Sequence, residues 1–190
     1  MLTIGYAAVV LKELNHAIGQ IAEEEAETLV DRILQTNKIF VAGAGRSGLM
    51  GRAFAMRMMH IGMEGYVVGE TVTPNLEKGD LLIVGSGSGE TKSLLAMAEK
   101  AKSLNGAVAA ITIFPESALG KLADITVKMP GSPKDQSEGS YKTIQPMGSL
   151  FEQTLLLFYD SVILRLMEKR GLNSETMYGR HANLEFSKEI

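Results

Sequence analysis

The sequence predicts an α/β fold, a three-layer α-β-α sandwich on a five-stranded parallel sheet with helices at both termini. Three observations predict it. Short apolar runs alternate with helix-period segments between residues 38 and 129, as in a parallel sheet covered on both faces. Two of those runs, Ile39 to Ala42 and Leu82 to Val84, end in glycine-rich turns that each open a helix. Finally, 45% of the 190 residues are hydrophobic and 22% are charged, enough apolar material for one compact domain over residues 1–190.

Tyr6 to Leu34 reads as one long N-terminal helix, because Val10, Leu14, Ile18, Ile21, Leu29 and Ile33 recur at helical spacing. Lys38 to Ala42 is a short buried strand, Gly43 to Gly48 its turn, and Ser47 to Ile61 a helix rich in Met and Phe. Tyr66 to Val68 is a second strand, Asp80 to Val84 a third, and Glu90 to Leu104 the next helix. Ala107 to Phe114, bounded by Gly106 and Pro115, is a fourth strand. A short helix near Ser117 to Leu122 leads to a fifth strand, Asp124 to Met129.

Pro130 to Pro146 has no periodicity and is long for a connection in a compact domain, so it reads as a lid or an interface segment. Gly148 to Arg170 is a strong helix with Leu155, Phe158, Tyr159, Val162, Leu166 and Met167 on its core face. Asn173 to Ile190 is a shorter tail of mixed helical and polar character.

Composition removes several function classes. A net charge of −3 and a pI near 5.7 provide no basic footprint for nucleic acid. The chain has no cysteine, so disulfides and thiolate metal sites are excluded. His16, His60 and His181 lie far apart without ligand spacing, and no metal or other cofactor is expected. No apolar run approaches the ~20 residues of a membrane span. The amino terminus has neither a basic n-region nor a convincing cleavage site, so a cytoplasmic protein is expected. The eleven methionines are read as core or subunit packing and, with apolar helices at both ends, point to a homo-oligomer.

Gly85-Ser86-Gly87-Ser88-Gly89-Glu90-Thr91 carries the most chemistry. A glycine-rich turn between strand and helix brings backbone N–H groups close to a ligand at the positive end of the helix dipole. The hydroxyls of Ser86, Ser88 and Thr91 add neutral donors, a combination suited to a phosphate monoester. A plain helix cap on a flexible turn explains less of this crowding.

Gly43-Ala44-Gly45-Arg46-Ser47-Gly48 repeats the strand–turn–helix arrangement, so both loops are expected at one carboxyl edge of the sheet, facing one pocket. This first loop also satisfies G-x-G-x-x-G, and Glu70 follows about twenty residues on, where a ribose-binding acid belongs. A dinucleotide site nevertheless leaves the Ser-rich loop without a task, in a chain with little room for a separate substrate domain. A phosphosugar protein ranks above it.

The paired loops resemble those of the sugar isomerase (SIS) domain family, a flavodoxin-like fold. The likeness to its 6-phospho-3-hexuloisomerase branch runs over nearly the whole chain. It rests on residues 43–48, Met56-Arg57-Met58-Met59-His60, Val68-Gly69-Glu70-Thr71, residues 85–91, Pro146 to Glu152, and Arg180-His181-Ala182-Asn183-Leu184. The arabinose 5-phosphate isomerase branch carries a His-containing motif where this chain has Glu70-Thr71-Val72-Thr73-Pro74. A phosphosugar-sensing module without catalysis, the alternative from another class, usually accompanies a DNA-binding domain, and no helix-turn-helix pattern precedes the acidic Glu23-Glu24-Glu25 segment.

The resemblance implies interconversion of D-arabino-3-hexulose 6-phosphate and D-fructose 6-phosphate through an enediol, in the ribulose monophosphate route of formaldehyde fixation. It also implies a tetramer with active sites at subunit boundaries and coupling to 3-hexulose-6-phosphate synthase. One carboxylate can move the proton between neighbouring carbons without metal or redox cofactor. Ser149-Leu150-Phe151-Glu152 reads from spacing as a capping box, and on that ground alone Glu152 is a cap. By resemblance it is the proton acceptor.

Ser47 is assigned to the sugar phosphate or a sugar hydroxyl, the alternative being an N-cap worth ~1 kcal/mol. Ser86, Gly87, Ser88, Gly89, Glu90 and Thr91 form the phosphate loop, with N–H groups near Gly89 and Glu90 as donors. Arg46 joins the binding group as a phosphate neutraliser, with an interface position or a surface ion pair left open. His181 is the second catalytic candidate, as an acid or hydroxyl ligand reaching from another chain. His60 lies some 20 Å down its helix from Ser47, at ~1.5 Å per residue, which makes it a core or interface residue. Glu70 either binds a sugar hydroxyl or ends its strand, and Lys128, Lys134 and Lys142 are read as solvated.

Overall fold

The computed structural model describes residues 1–132 and 142–183. Five strands form one all-parallel sheet in the order β2-β1-β3-β4-β5. They are β1 (Lys38–Gly43), β2 (Glu64–Val67), β3 (Leu81–Gly85), β4 (Ala107–Thr112) and β5 (Ile125–Lys128). The helices are α1 (Thr3–Ile18), α2 (Glu23–Leu34), α3 (Gly45–His60), α4 (Lys92–Ser103), α5 (Ala118–Leu122), α6 (Ser149–Lys169) and α7 (Ser174–Tyr178). Strands and helices follow the predicted order, with ends shifted by a few residues.

The central strands are apolar along nearly their whole length, with Lys38 at the start of β1 and Thr112 at the end of β4, because both of their faces are covered. Ile39, Val41, Leu81, Ile83, Ala109 and Ile111 meet residues of α2, α3 and α6 on one face. Phe40, Ala42, Leu82, Val84, Val108 and Ala110 meet residues of α4 and Leu119 of α5 on the other. Between α3 and α6 the rings of Phe54 and Tyr159 stack with centroids 4.2 Å apart. Among the methionines, Met58 is fully buried in this core, whereas Met56 and Met59 on the same helix are exposed.

The single long N-terminal helix is corrected: the chain breaks it into α1 and α2 around Gly19–Ala22. Gly19 is the C-cap of α1, and α2 restarts with Glu23, Glu24 and Glu25 in its first turn. Three carboxylates at the positive end of a helix favour a new helix there. Helix periodicity ran on because both helices bury a stripe at similar phase, α1 against α6 and α2 against β5 and α6.

Of the predicted 130–146 connection, residues 142–146 are held down at one end. Glu13 of α1 accepts hydrogen bonds from Thr143 Oγ1, the Ile144 N–H and Gln145 Nε2 at 2.6, 2.9 and 2.9 Å. Burial acts to raise the Glu13 pKa, but these hydrogen bonds outweigh it and the carboxyl titrates below its ordinary range. Residues 133–141, where the lid assignment and Lys134 fall, lie outside the described residues.

Candidate active site

β1 runs to β2 on one side and β3 lies on its other side, so the strand order reverses between β1 and β3. Ligands of open α/β sheets bind at such a point, beyond the carboxyl ends of the strands. A cavity of about 280 Å³ occupies it. Its walls include Ala44 and Ser47 from the first loop, Gly85 to Ser88 and Thr91 from the second, and Phe151 and Glu152 from α6. Both glycine loops therefore face one pocket.

Three helices point their N-termini into this cavity. Their N-cap residues are Ala44 for α3, Thr91 for α4 and Gly148 for α6, and none of the three caps its helix with a side-chain hydrogen bond. The first N–H groups of each helix have no intrahelical partner, and the helix dipoles add partial positive charge. Such an arrangement of N–H groups and dipoles favours negative charge.

The Ser-rich loop divides its labour. Ser86 Oγ accepts from the Gly89 N–H at 3.2 Å, and Ser88 Oγ accepts from the Glu90 N–H at 3.3 Å. These two N–H groups, expected as phosphate donors, are spent inside the turn. Gly89 and Glu90 lie outside the cavity lining and hold α5 instead. Glu90 Oε1 accepts from the Ala118 N–H at 2.7 Å, and the Gly89 carbonyl accepts from the Leu119 N–H at 3.0 Å. Gly89 has φ +65°, and a Cβ there would lie 1.9 Å from Ser117 Oγ. Ser88 and Thr91 line the cavity, and the first turn of α4 begins beside them.

Ser47 lines the cavity, but it is the third residue of α3 and not its N-cap. Glu152 also lines the cavity, and its side chain is 8% exposed. The capping box does not form. α6 begins one residue earlier than that reading requires, with the Glu152 N–H donating to the Gly148 carbonyl at 3.0 Å. Arg46 Nη1 lies 3.0 Å from Glu152 Oε2 and donates to Ser149 Oγ at 2.8 Å. Arg46 thus meets the candidate base through a contact that spacing in the chain does not reveal.

His181 stands apart from Glu152 within one chain. Its imidazole stacks on that of His60, centroids 5.3 Å apart, at the opposite end of α3 from the cavity. His60 is buried there, and burial, then the Arg57 charge and His181, push it below the ordinary imidazole range. Glu70 is paired with Arg52 and does not line the cavity. Lys128 and Lys142 are exposed.

Sequence reasoning missed Ser132, which is buried and lines the cavity. Its position just beyond β5, at the same carboxyl edge, was the available signal. The G-x-G-x-x-G spacing of the first loop has a packing cause: a Cβ on Gly48 would lie 2.5 Å from the Gly43 carbonyl oxygen. The spacing brings helix and strand backbones together whatever the ligand. Among the described residues no group of three or more acidic or His side chains is placed to hold a metal.

A cavity at the switch point of a parallel sheet, lined by helix N-termini, hydroxyls and a carboxylate, marks the class as an α/β domain with a polar site at its carboxyl edge. The chain belongs to the SIS domain family, whose pattern matches residues 32–157. A 3-hexulose-6-phosphate isomerase of Bacillus subtilis is 65% identical over 185 residues, covering 97% of this chain and all of that protein. Another from Methanocaldococcus jannaschii is 43% identical, covering 85% of each chain. A crystal structure from Methanococcus jannaschii, for which the function of 3-hexulose-6-phosphate isomerase is inferred, superposes with a TM-score of 0.79. It is 39% identical and covers 94% of this chain and 98% of its own.

Proposed function

We propose that this chain is an isomerase that interconverts D-arabino-3-hexulose 6-phosphate and D-fructose 6-phosphate. The observation that carries the reading is a single cavity holding both a hydroxyl-rich anion cradle and the nearly buried carboxylate of Glu152. The identity to relatives that bear this activity supports it.

The phosphate docks on the Ser86–Thr91 loop and the first turn of α4, with Ser47 on the facing wall. Helix N–H groups and hydroxyls neutralise it without committing a cation to it. Glu152 removes the proton from C2, beside the C3 carbonyl; the electron pair of the C–H bond forms the C2–C3 double bond of an enediolate as the carbonyl π pair moves onto the C3 oxygen. The same carboxyl returns that proton to C3 while a proton passes from the C2 oxygen to the C3 oxygen. The carbonyl then stands at C2, and no electron leaves the substrate.

The working form is a homotetramer in the cytoplasm that draws its substrate from 3-hexulose-6-phosphate synthase. Exposed apolar side chains on α1 and α3, including Ile4, Leu11, Leu49 and Met56, favour burial against further copies. His181 serves the proton shift between oxygens from a neighbouring subunit, because α3 separates it from the cavity of its own chain by roughly 20 Å.

The test supplies ribulose 5-phosphate, formaldehyde and a purified synthase, then follows fructose 6-phosphate. Product well above the synthase-only background is expected. Background-level product from folded protein overturns the reading.

A further inference from the structure

We infer that Arg46 is a positioning residue that keeps Glu152 in the cavity by taking the two side chains its helix would otherwise use as a cap. Ser149-Leu150-Phe151-Glu152 has the residue types and spacing of a reciprocal box. In it the Ser hydroxyl accepts from the Glu N–H, while the carboxylate reaches back to the Ser N–H. The structure forms neither bond. The Ser149 N–H donates to the Pro146 carbonyl at 3.2 Å, and the Glu152 N–H to the Gly148 carbonyl at 3.0 Å.

Both side chains converge instead on one nitrogen from another helix. Arg46 Nη1 donates to Ser149 Oγ at 2.8 Å and lies 3.0 Å from Glu152 Oε2. Two arrangements of the carboxylate therefore compete. Folded back, it meets the positive end of its own helix dipole, where it shares the Ser149 N–H with the Pro146 carbonyl. Facing the cavity it is 8% exposed, and a buried carboxylate without a counter-charge is costly. Arg46 supplies that counter-charge and also occupies the hydroxyl that would close the box.

A guanidinium suits the task because its donors are fixed in one plane, so it directs two partners at once. It engages Oε2 and leaves Oε1 for the substrate proton. The Arg46 side chain is 51% exposed and outside the cavity lining, so it acts through Glu152 and not on the phosphate. Only the effect on turnover rests on the isomerase reading; the competition between the two carboxylate positions does not.

The test compares the full chain with Arg46→Gln, Arg46→Lys and Arg46→Gln/Ser149→Ala, each checked for folding by circular dichroism and thermal melting. In the isomerase assay Arg46→Gln should lower kcat by about 10²-fold with KM within about threefold. Arg46→Lys, a point charge without the fork, should recover only part of that loss. Adding Ser149→Ala to Arg46→Gln should raise kcat several-fold, since the competing cap has lost one half. A rise in KM with kcat intact makes Arg46 a phosphate ligand and overturns the inference, as does a double variant no faster than Arg46→Gln. A crystal structure of Arg46→Gln decides the matter without an assay. The carboxylate should leave the cavity for the first turn of α6, and a carboxylate unmoved in the cavity overturns the positioning role. If the wild type itself forms no fructose 6-phosphate, the functional reading falls, and this crystallographic comparison still decides the role of Arg46.

Discussion

Gly43 and Gly85 are register partners in adjacent parallel strands, so the two glycine loops leave the sheet at the same level and side by side. That pairing makes two separate motifs into facing walls of one pocket. It depends on β3 lying beside β1 rather than beyond β2, and so on the reversal in strand order.

The close approach of helix to strand beneath the first loop predicts that Gly48→Ala is destabilising. The added Cβ would lie 2.5 Å from the Gly43 carbonyl oxygen, a backbone atom that cannot rotate away. A loss of about 1–3 kcal/mol is expected from such overpacking, read as a lower urea midpoint with unchanged slope. An unaltered midpoint would show that β1 and α3 are not pressed together there.

Binding and chemistry should separate by residue. Glu152→Gln is expected to lower kcat by about 10²–10⁴-fold with KM little changed, because the amide cannot accept the proton. Ser88→Ala removes a hydroxyl from the cavity wall proposed to hold the phosphate, where a hydrogen bond to a charged group contributes roughly 1.5–3 kcal/mol. Its KM should rise about tenfold or more while kcat changes less. Steady-state kinetics with both variants on one substrate preparation distinguish the roles, and exchanged effects would exchange the assignments.

Glu27 of α2 ties that helix to α6, accepting from Arg165 Nε at 2.8 Å and lying 3.0 Å from Lys169 Nζ. Hydrogen bonds from Arg165, then Lys169, lower its pKa to about 2. A carboxyl whose folded pKa is depressed contributes stability above its unfolded pKa and loses it as pH falls through the folded value. The contribution should therefore be full at neutral pH and fade between about pH 4.5 and 2. Melting temperatures of Glu27→Gln and wild type should differ at pH 7 and converge near pH 2. A gap that persists at low pH would point to packing rather than charge. Added salt should narrow the neutral-pH gap as well, because the pair is open to solvent.

Tyr159 is 1% exposed, its hydroxyl has no hydrogen-bond partner among the described residues, and burial raises its pKa. Tyr159→Phe keeps the stack on Phe54 and removes a desolvated polar group. The variant should be as stable as the wild type, or more so by up to about 1 kcal/mol. A clear drop in melting temperature would reveal a partner such as an internal water.

Much of this architecture is legible in local residue patterns. Leu81 to Val84 is apolar throughout because both faces of β3 are buried, and a run of that kind announces a central parallel strand. The break between α1 and α2 was also written locally, in Gly19 and the acidic triplet from Glu23, but the apolar period across both helices concealed it. That Ser47, Ser86, Ser88 and Thr91 line one cavity was legible because glycine-rich turns after strands expose backbone and hydroxyls in a predictable direction.

Glu152 marks where that legibility stops. Its spacing from Ser149 describes a cap, a bond made within four residues, and nothing nearby in the chain contradicts it. In the fold both backbone N–H groups of that box go to carbonyls, and the two side chains meet Arg46, 103 residues before Ser149 and brought across by the packing of α3 on α6. His181 and Ser132 have the same character, since the stack on His60 and the place on the cavity wall both join distant segments. Strands, helices and the glycine-rich loops follow from interactions between near neighbours, which the order of residues contains. Which way the carboxylate faces is a balance between a local hydrogen bond and a distant charge, and only the folded chain sets the distance between them.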